Sequence, residues 1–128
     1  MAVPDSHREV ERLVAGGDLM LVAQHALSGH LRNPILSWAA EYIGVMTKTT
    51  EDALVCCSVA KHVGRHPCSY VKEGALLGVV AALERAQDGE AVIDNDVRHR
   101  LLAIVRWFTT QEHSTTLQAI AREALADL

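Results

Sequence analysis

Val71-Lys-Glu-Gly74-Ala-Leu-Leu-Gly78-Val-Val-Ala-Ala82-Leu83 decides how the rest of the chain must fold. It is apolar nearly all the way round. Gly74, Ala75, Gly78, Val79 and Ala82 form a face of small residues, and Leu76, Leu77, Val80 and Leu83 form a bulky one. A helix that is apolar on both sides must be covered on both sides. The segment Ser69 to Leu83 is therefore expected at the centre of the molecule, with other helices around it.

The flanking sequence supplies those helices. Apolar residues recur at three- and four-residue steps, the period of one helix face. Ile35, Trp38, Ala39, Tyr42, Ile43 and Met46 form one such stripe, with Asn33 as the expected cap and Pro34 at the first helical position. Ala53, Cys56, Cys57, Ala60 and Val63 form another. It starts at Thr50, with Glu51 and Asp52 suited to a first turn, and stops at Gly64. Val97, Leu101, Ile104, Val105 and Phe108 follow, with Asp94 or Asp96 as cap. The last stripe is Leu117, Ile120, Ala121, Ala124, Leu125 and Leu128, capped by Ser114 or Thr115. Towards the start, Asp18 to Leu27 reads as a helix ended by Gly29, and Arg8 to Ala15 as a short one ended by Gly16-Gly17. The expected fold is all-α, with seven helices in one domain spanning 1–128.

Composition narrows the function classes. The 128 residues are 49% hydrophobic and 4% aromatic, with a formal net charge of -4. Such a chain buries roughly two-thirds of its unfolded surface. No apolar run approaches the ~18 residues a membrane span needs. Asp5, Arg8, Glu9 and Glu11 stand where a secretory signal would be apolar, so a cytoplasmic location is expected. Three cysteines, two of them adjacent, make no disulfide framework and fit reduced thiols. The acidic balance argues against a general nucleic-acid binder.

The helices also repeat. Leu36-Ser-Trp-Ala-Ala40, Val71-Lys-Glu-Gly-Ala75 and Leu117-Gln-Ala-Ile-Ala121 each place an alanine four residues after an aliphatic one. Each follows a short polar loop, and each loop follows another amphipathic helix. Three helix-turn-helix units result, about 18–46, 51–86 and 94–128, in which Ala and Gly let neighbouring units approach closely. The pattern resembles HEAT-type helical repeats, a family of α-solenoid proteins. The best match is His66-Pro-Cys-Ser-Tyr-Val71-Lys-Glu-Gly-Ala75-Leu-Leu-Gly78, a polar turn followed by Val, a basic residue and a small-residue run. The resemblance implies a right-handed α-α superhelix of three helix pairs plus a short N-terminal helix. It also implies a scaffold that binds proteins.

Several groups bear on chemistry. Glu84, Asp88, Glu90, Asp94 and Asp96 stand against Arg85 alone, a local balance equal to that of the whole chain. They interrupt the repeat spacing and suggest an acidic docking surface for a basic protein partner. Lys61, Arg65 and Lys72 form a basic turn that could hold phosphate, the weaker alternative. Arg98-His99-Arg100 with Arg106 is a second basic cluster. Cys57, His62, His66 and Cys68 are the best metal or nucleophile candidates, but their spacing matches no compact zinc pattern. No metal, cofactor or catalytic residue is expected. The expected function is a non-catalytic protein-binding module, of the immunity or inhibitor type for a basic partner. A metal-dependent enzyme and a nucleic-acid-binding repeat are the alternatives. Homodimerisation through an apolar end of the array is also expected, because helical arrays need polar caps.

Overall fold

Caps and turns delimit each helix of the computed structural model, which describes residues 3–110 and 112–128. Its helices are α1 (His7–Ala15), α2 (Leu19–Leu27), α3 (Asn33–Val45), α4 (Thr50–Val63), α5 (Ser69–Gln87), α6 (Asn95–Thr110) and α7 (Thr115–Asp127). Among the described residues there is no strand. The hydroxyls of Ser6, Thr49 and Ser114 accept from the amides of Glu9, Asp52 and Leu117, opening α1, α4 and α7 as N-caps do. Gly17, Gly29 and Gly89 turn the chain at positive φ, where a side chain would be strained.

Two boundaries differ from the sequence reading. Asn33 is the first residue of α3 and not its cap; the cap position belongs to Arg32, which makes no capping bond. Its backbone is extended, as at most N-cap positions, and its Nε lies 2.8 Å from Asp5 Oδ1. α5 runs a turn beyond Leu83, because Glu84, Arg85 and Ala86 are all good helix formers.

Among the described residues, each helix touches only helices one or two places away along the chain. The contacts form two files, α2-α4-α6 and α1-α3-α5-α7, with successive helices joining the files. One continuous buried cluster draws on all seven helices. α5 has nine buried residues, seven of them in that cluster, and packs against α3, α4, α6 and α7, as its two-sided apolar pattern requires.

The tightest joint is between α3 and α5. A Cβ added to Gly44 would lie 1.8 Å from the carbonyl oxygen of Gly78, and one added to Gly78 would lie 2.3 Å from that of Ala40. One on Gly74 would lie 2.2 Å from the carbonyl oxygen of Ser37. The two backbones touch directly, and the Ser37 hydroxyl donates to the carbonyl of Tyr70 across the joint at 3.0 Å.

The segment between α5 and α6 is also fastened down. Arg85 Nε donates to the Thr47 carbonyl at 2.7 Å, and Arg85 Nη1 pairs with Glu90 at 3.0 Å. The Val92 amide donates to the Lys48 carbonyl and the Asp94 amide to Thr50 Oγ1. These bonds tie the acidic segment to the α3–α4 connection.

The glycine joint yields a test. Replacing a mid-helix Gly by Ala ordinarily stabilises by up to about 1 kcal/mol. At Gly44 or Gly78 the added methyl meets backbone, so overpacking outweighs that gain. Gly44→Ala and Gly78→Ala should each lower stability by about 3 kcal/mol or more in urea denaturation. A stabilised variant would show that α3 and α5 separate freely.

Candidate functional site

A concavity lies between α4 and α6. Ala60 and Lys61 lie in the last turn of α4, and Gly64 and Arg65 in the turn that follows it. On α6, Arg100, Ala103, Ile104, Trp107 and Phe108 share one side by their three- and four-residue spacing. Together they line a groove of about 340 Å³. Buried Ala60, Gly64, Ile104 and Phe108 form its floor. Exposed Lys61, Arg65, Arg100 and Trp107 stand around it.

Gly64 shapes that floor. A Cβ there would lie 2.7 Å from the Ala60 carbonyl oxygen and 3.4 Å from Phe108 Cζ. Phe108 in turn meets Trp107 edge-to-face, their ring centroids 5.2 Å apart. Trp107 is held by this contact yet remains 39% exposed. Among the described residues, Lys61, Arg65 and Arg100 form no ion pair. The groove therefore combines an apolar floor, an exposed indole and three cations, a set suited to an anionic ligand with an apolar anchor.

The basic-turn residues separate in the fold. Lys61 and Arg65 reach the groove, joined by Arg100 from the second basic cluster. Lys72 does not: its ammonium lies 3.1 Å from Glu112 Oε1 and 3.2 Å from Oε2. The Lys72 side chain is 16% exposed and that of Glu112 1%. Lys72 is therefore removed from the expected phosphate set, because a buried carboxylate needs a partner more than solvent needs a cation. Burial pushes the Glu112 carboxyl up, but the Ser114 amide, the Lys72 ammonium and the His113 amide together hold it below the ordinary glutamate value.

Of the acidic residues, Glu84, Asp88, Glu90, Asp94 and Asp96 are all exposed. Glu90 is committed to Arg85, whereas Asp88, Asp94 and Asp96 form no ion pair among the described residues. Val92 projects from their midst at 79% exposure. The segment is thus a charged knob with one apolar tip.

The Cys/His group does not assemble. Cys57 is buried on α4 while His62 faces solvent. His66 Nδ1 accepts from the Cys68 amide at 3.0 Å, a turn contact. His62, Arg65 and His66 border a second cavity with Leu36 and Val63. Among the described residues, no three His, Cys, Asp or Glu side chains converge as metal ligands would. Burial, with Cys57 beside it, pushes the Cys56 thiol up to about 12. Burial also raises Cys57, against the pull of Lys61 and Arg100. Both are held as neutral thiols, the inert form.

No protein-family model, curated protein or solved structure matches the chain. No helix among the described residues is long and apolar enough to cross a membrane.

Trp107, Ile104 and Phe108 were not singled out as site residues by the sequence. Their spacing with Arg100 is visible there, but it reads equally as a core stripe with a polar flank. Only the pairing of α6 with α4 makes a groove of it.

Two tests follow from this chemistry. Lys72→Met keeps the stem and removes the charge, leaving Glu112 buried with its two amides. It should cost about 2 kcal/mol at neutral pH by urea denaturation. Because the folded Glu112 value is depressed, its ionised form stabilises the fold fully above the ordinary glutamate value, about 4.3. That contribution is lost as pH falls through the lower folded value, so the gap between wild type and variant should narrow in acid. A gap independent of pH would mean that the pair acts by packing alone. Separately, iodoacetamide should label half-buried Cys68 in the native protein and spare Cys56 and Cys57 until urea is added. Mass spectrometry showing native labelling of Cys57 would restore it as a reactive group.

Proposed function

We propose that this protein is a non-catalytic protein-binding module on a HEAT-like right-handed superhelix, and that the α4–α6 groove receives a segment of its partner. The contact pattern supports the repeat reading, since a stacked helical array brings each helix against its near neighbours in sequence. The three pairs are α2–α3, α4–α5 and α6–α7, with α1 as the additional N-terminal helix. Reduced, buried thiols support a cytoplasmic setting and argue against a cysteine nucleophile.

The observation that carries the binding reading is the groove itself: exposed Trp107 over an apolar floor, beside three cations that form no ion pair among the described residues. Aromatic anchors in desolvated pockets dominate protein interfaces, and rim charges guide encounter. A helical segment with apolar residues at three- and four-residue steps and carboxylates beside them matches this lining. The expected basic partner at Glu84–Asp96 has charge in its favour, but the groove adds apolar area that charge alone lacks. A nucleic acid is less well suited, because three cations within a chain of net charge -4 make a small phosphate footprint.

The test uses a synthetic amphipathic peptide with Glu on one face and Leu or Phe on the other. Titration followed by amide and indole NMR should shift Trp107 and Gly64. Affinity should fall as salt rises. Lys61→Glu with Arg100→Glu should weaken binding about tenfold or more while leaving the melting temperature unchanged. Equal binding of a Lys-for-Glu peptide at Asp88–Asp96 would move the docking face to the acidic segment. Uniform loss with salt and preference for an oligonucleotide would replace protein binding by nucleic-acid binding.

A further inference from the structure

The groove and the acidic knob are complementary, and both belong to this chain. The knob offers Val92, 79% exposed, flanked by Asp88, Asp94 and Asp96. The groove offers an apolar floor flanked by Lys61, Arg65 and Arg100. One apolar tip between carboxylates faces one apolar floor between cations.

Within one molecule Asp96 stands one turn from Arg100 on α6, but Val92 cannot reach the groove floor. α4 and α6 run parallel: their starts are joined by the Asp94 amide on Thr50 Oγ1, and Gly64 at the end of α4 stands over Phe108 near the end of α6. The knob lies at the start of this pair and the groove towards its end. From Thr50 to Ala60 the helix rises about 15 Å. The knob cannot swing that far, because the Val92 amide is fixed to the Lys48 carbonyl and the Asp94 amide to Thr50. A second copy can present its knob without such movement.

We propose that the occupant of the α4–α6 groove is the Val92 knob of a second copy of this chain. This rests on the groove being a docking site, as argued above. Val92 seats over Ile104 and Trp107, and the carboxylates around it meet Lys61, Arg65 and Arg100. The contact is heterologous, because donor and acceptor surfaces differ. Copies therefore add head to tail until a ring closes or the supply of chain ends. Bonding through the knob uses no new conformation, since both surfaces are already built.

Sedimentation of the 128-residue chain tests this. Wild type should show an average mass that rises with concentration and falls with added salt. Val92→Lys places a like charge against the groove cations, and Arg100→Glu reverses one of them. Both positions are exposed, so folding should be unaffected, and each variant alone should self-associate about tenfold or more weakly. Mixed together, they should recover association. The Arg100→Glu copy keeps its knob, the Val92→Lys copy keeps its groove, and the two altered surfaces carry opposite charges. Failure of the mixture to pair, or single variants that associate as wild type does, would overturn the proposal. A wild type that stays monomeric at millimolar concentration would also overturn it. If the acidic amphipathic peptide then still bound wild type but not Arg100→Glu, only the identity of the occupant would have failed. If Arg100→Glu changed neither peptide binding nor self-association, the groove reading itself would fall.

Discussion

Direct backbone contact between α3 and α5 is the constraint on which the rest of the structure depends. At Gly44, Gly74 and Gly78 no side chain stands between the helices, so carbonyl groups of one lie where Cβ atoms of the other would be. Close approach on one side leaves the bulky side of α5 to be covered by α4, α6 and α7. The two files of helices follow from that. The approach has an electrostatic consequence as well: burial, with Glu73 of α5 nearby, raises the Glu41 carboxyl of α3 above its ordinary value. Two carboxylates are kept near each other because the backbones between them are.

Charge is sorted along α4: Glu51 and Asp52 lie in its first turn and Lys61 and His62 in its last, the order that the helix dipole favours. α6 departs from that order, because Asp96 opens it but Arg98 and Arg100 follow within its first two turns and no basic residue stands in its last. The dipole therefore explains Lys61 and does not explain Arg100, an exposed Val92 before α6 or an exposed Trp107 over a cavity.

Buried charge has a different role between α5 and α7. Glu112 is almost wholly enclosed and accepts from Lys72 and from the amides of His113 and Ser114. Lys72 belongs to α5 and Glu112 precedes α7, so the pair pins the start of the last helix to the central one. A buried ion pair is weak evidence of net stabilisation, but removing one partner strands the other. Lys72 is a structural residue for that reason, although in sequence it sits among basic neighbours that reach solvent.

Helix number, helix order and the central position of Ser69–Leu83 were legible in the sequence, because apolar periodicity and cap residues act within a few residues of one another. The stops at Gly16-Gly17, Gly29 and Gly64 were legible for the same reason, and so was the need for small residues at Gly74 and Gly78. The turn of α5 beyond Leu83 and the pairing of Arg32 with Asp5 were not, since one follows helix propensity into a charged stretch and the other joins residues far apart in sequence. The site was legible only in fragments. Lys61 and Arg65 were marked by their charge, yet the same charge pattern included Lys72, which pairs with a carboxylate forty residues later. Arg100, Ile104, Trp107 and Phe108 form an ordinary amphipathic face until α6 lies beside α4. Local periodicity determined which residues each helix would turn inward; only the lateral pairing of helices decided which inward and outward residues would share a groove, because that pairing joins positions about forty residues apart that no sequence period relates.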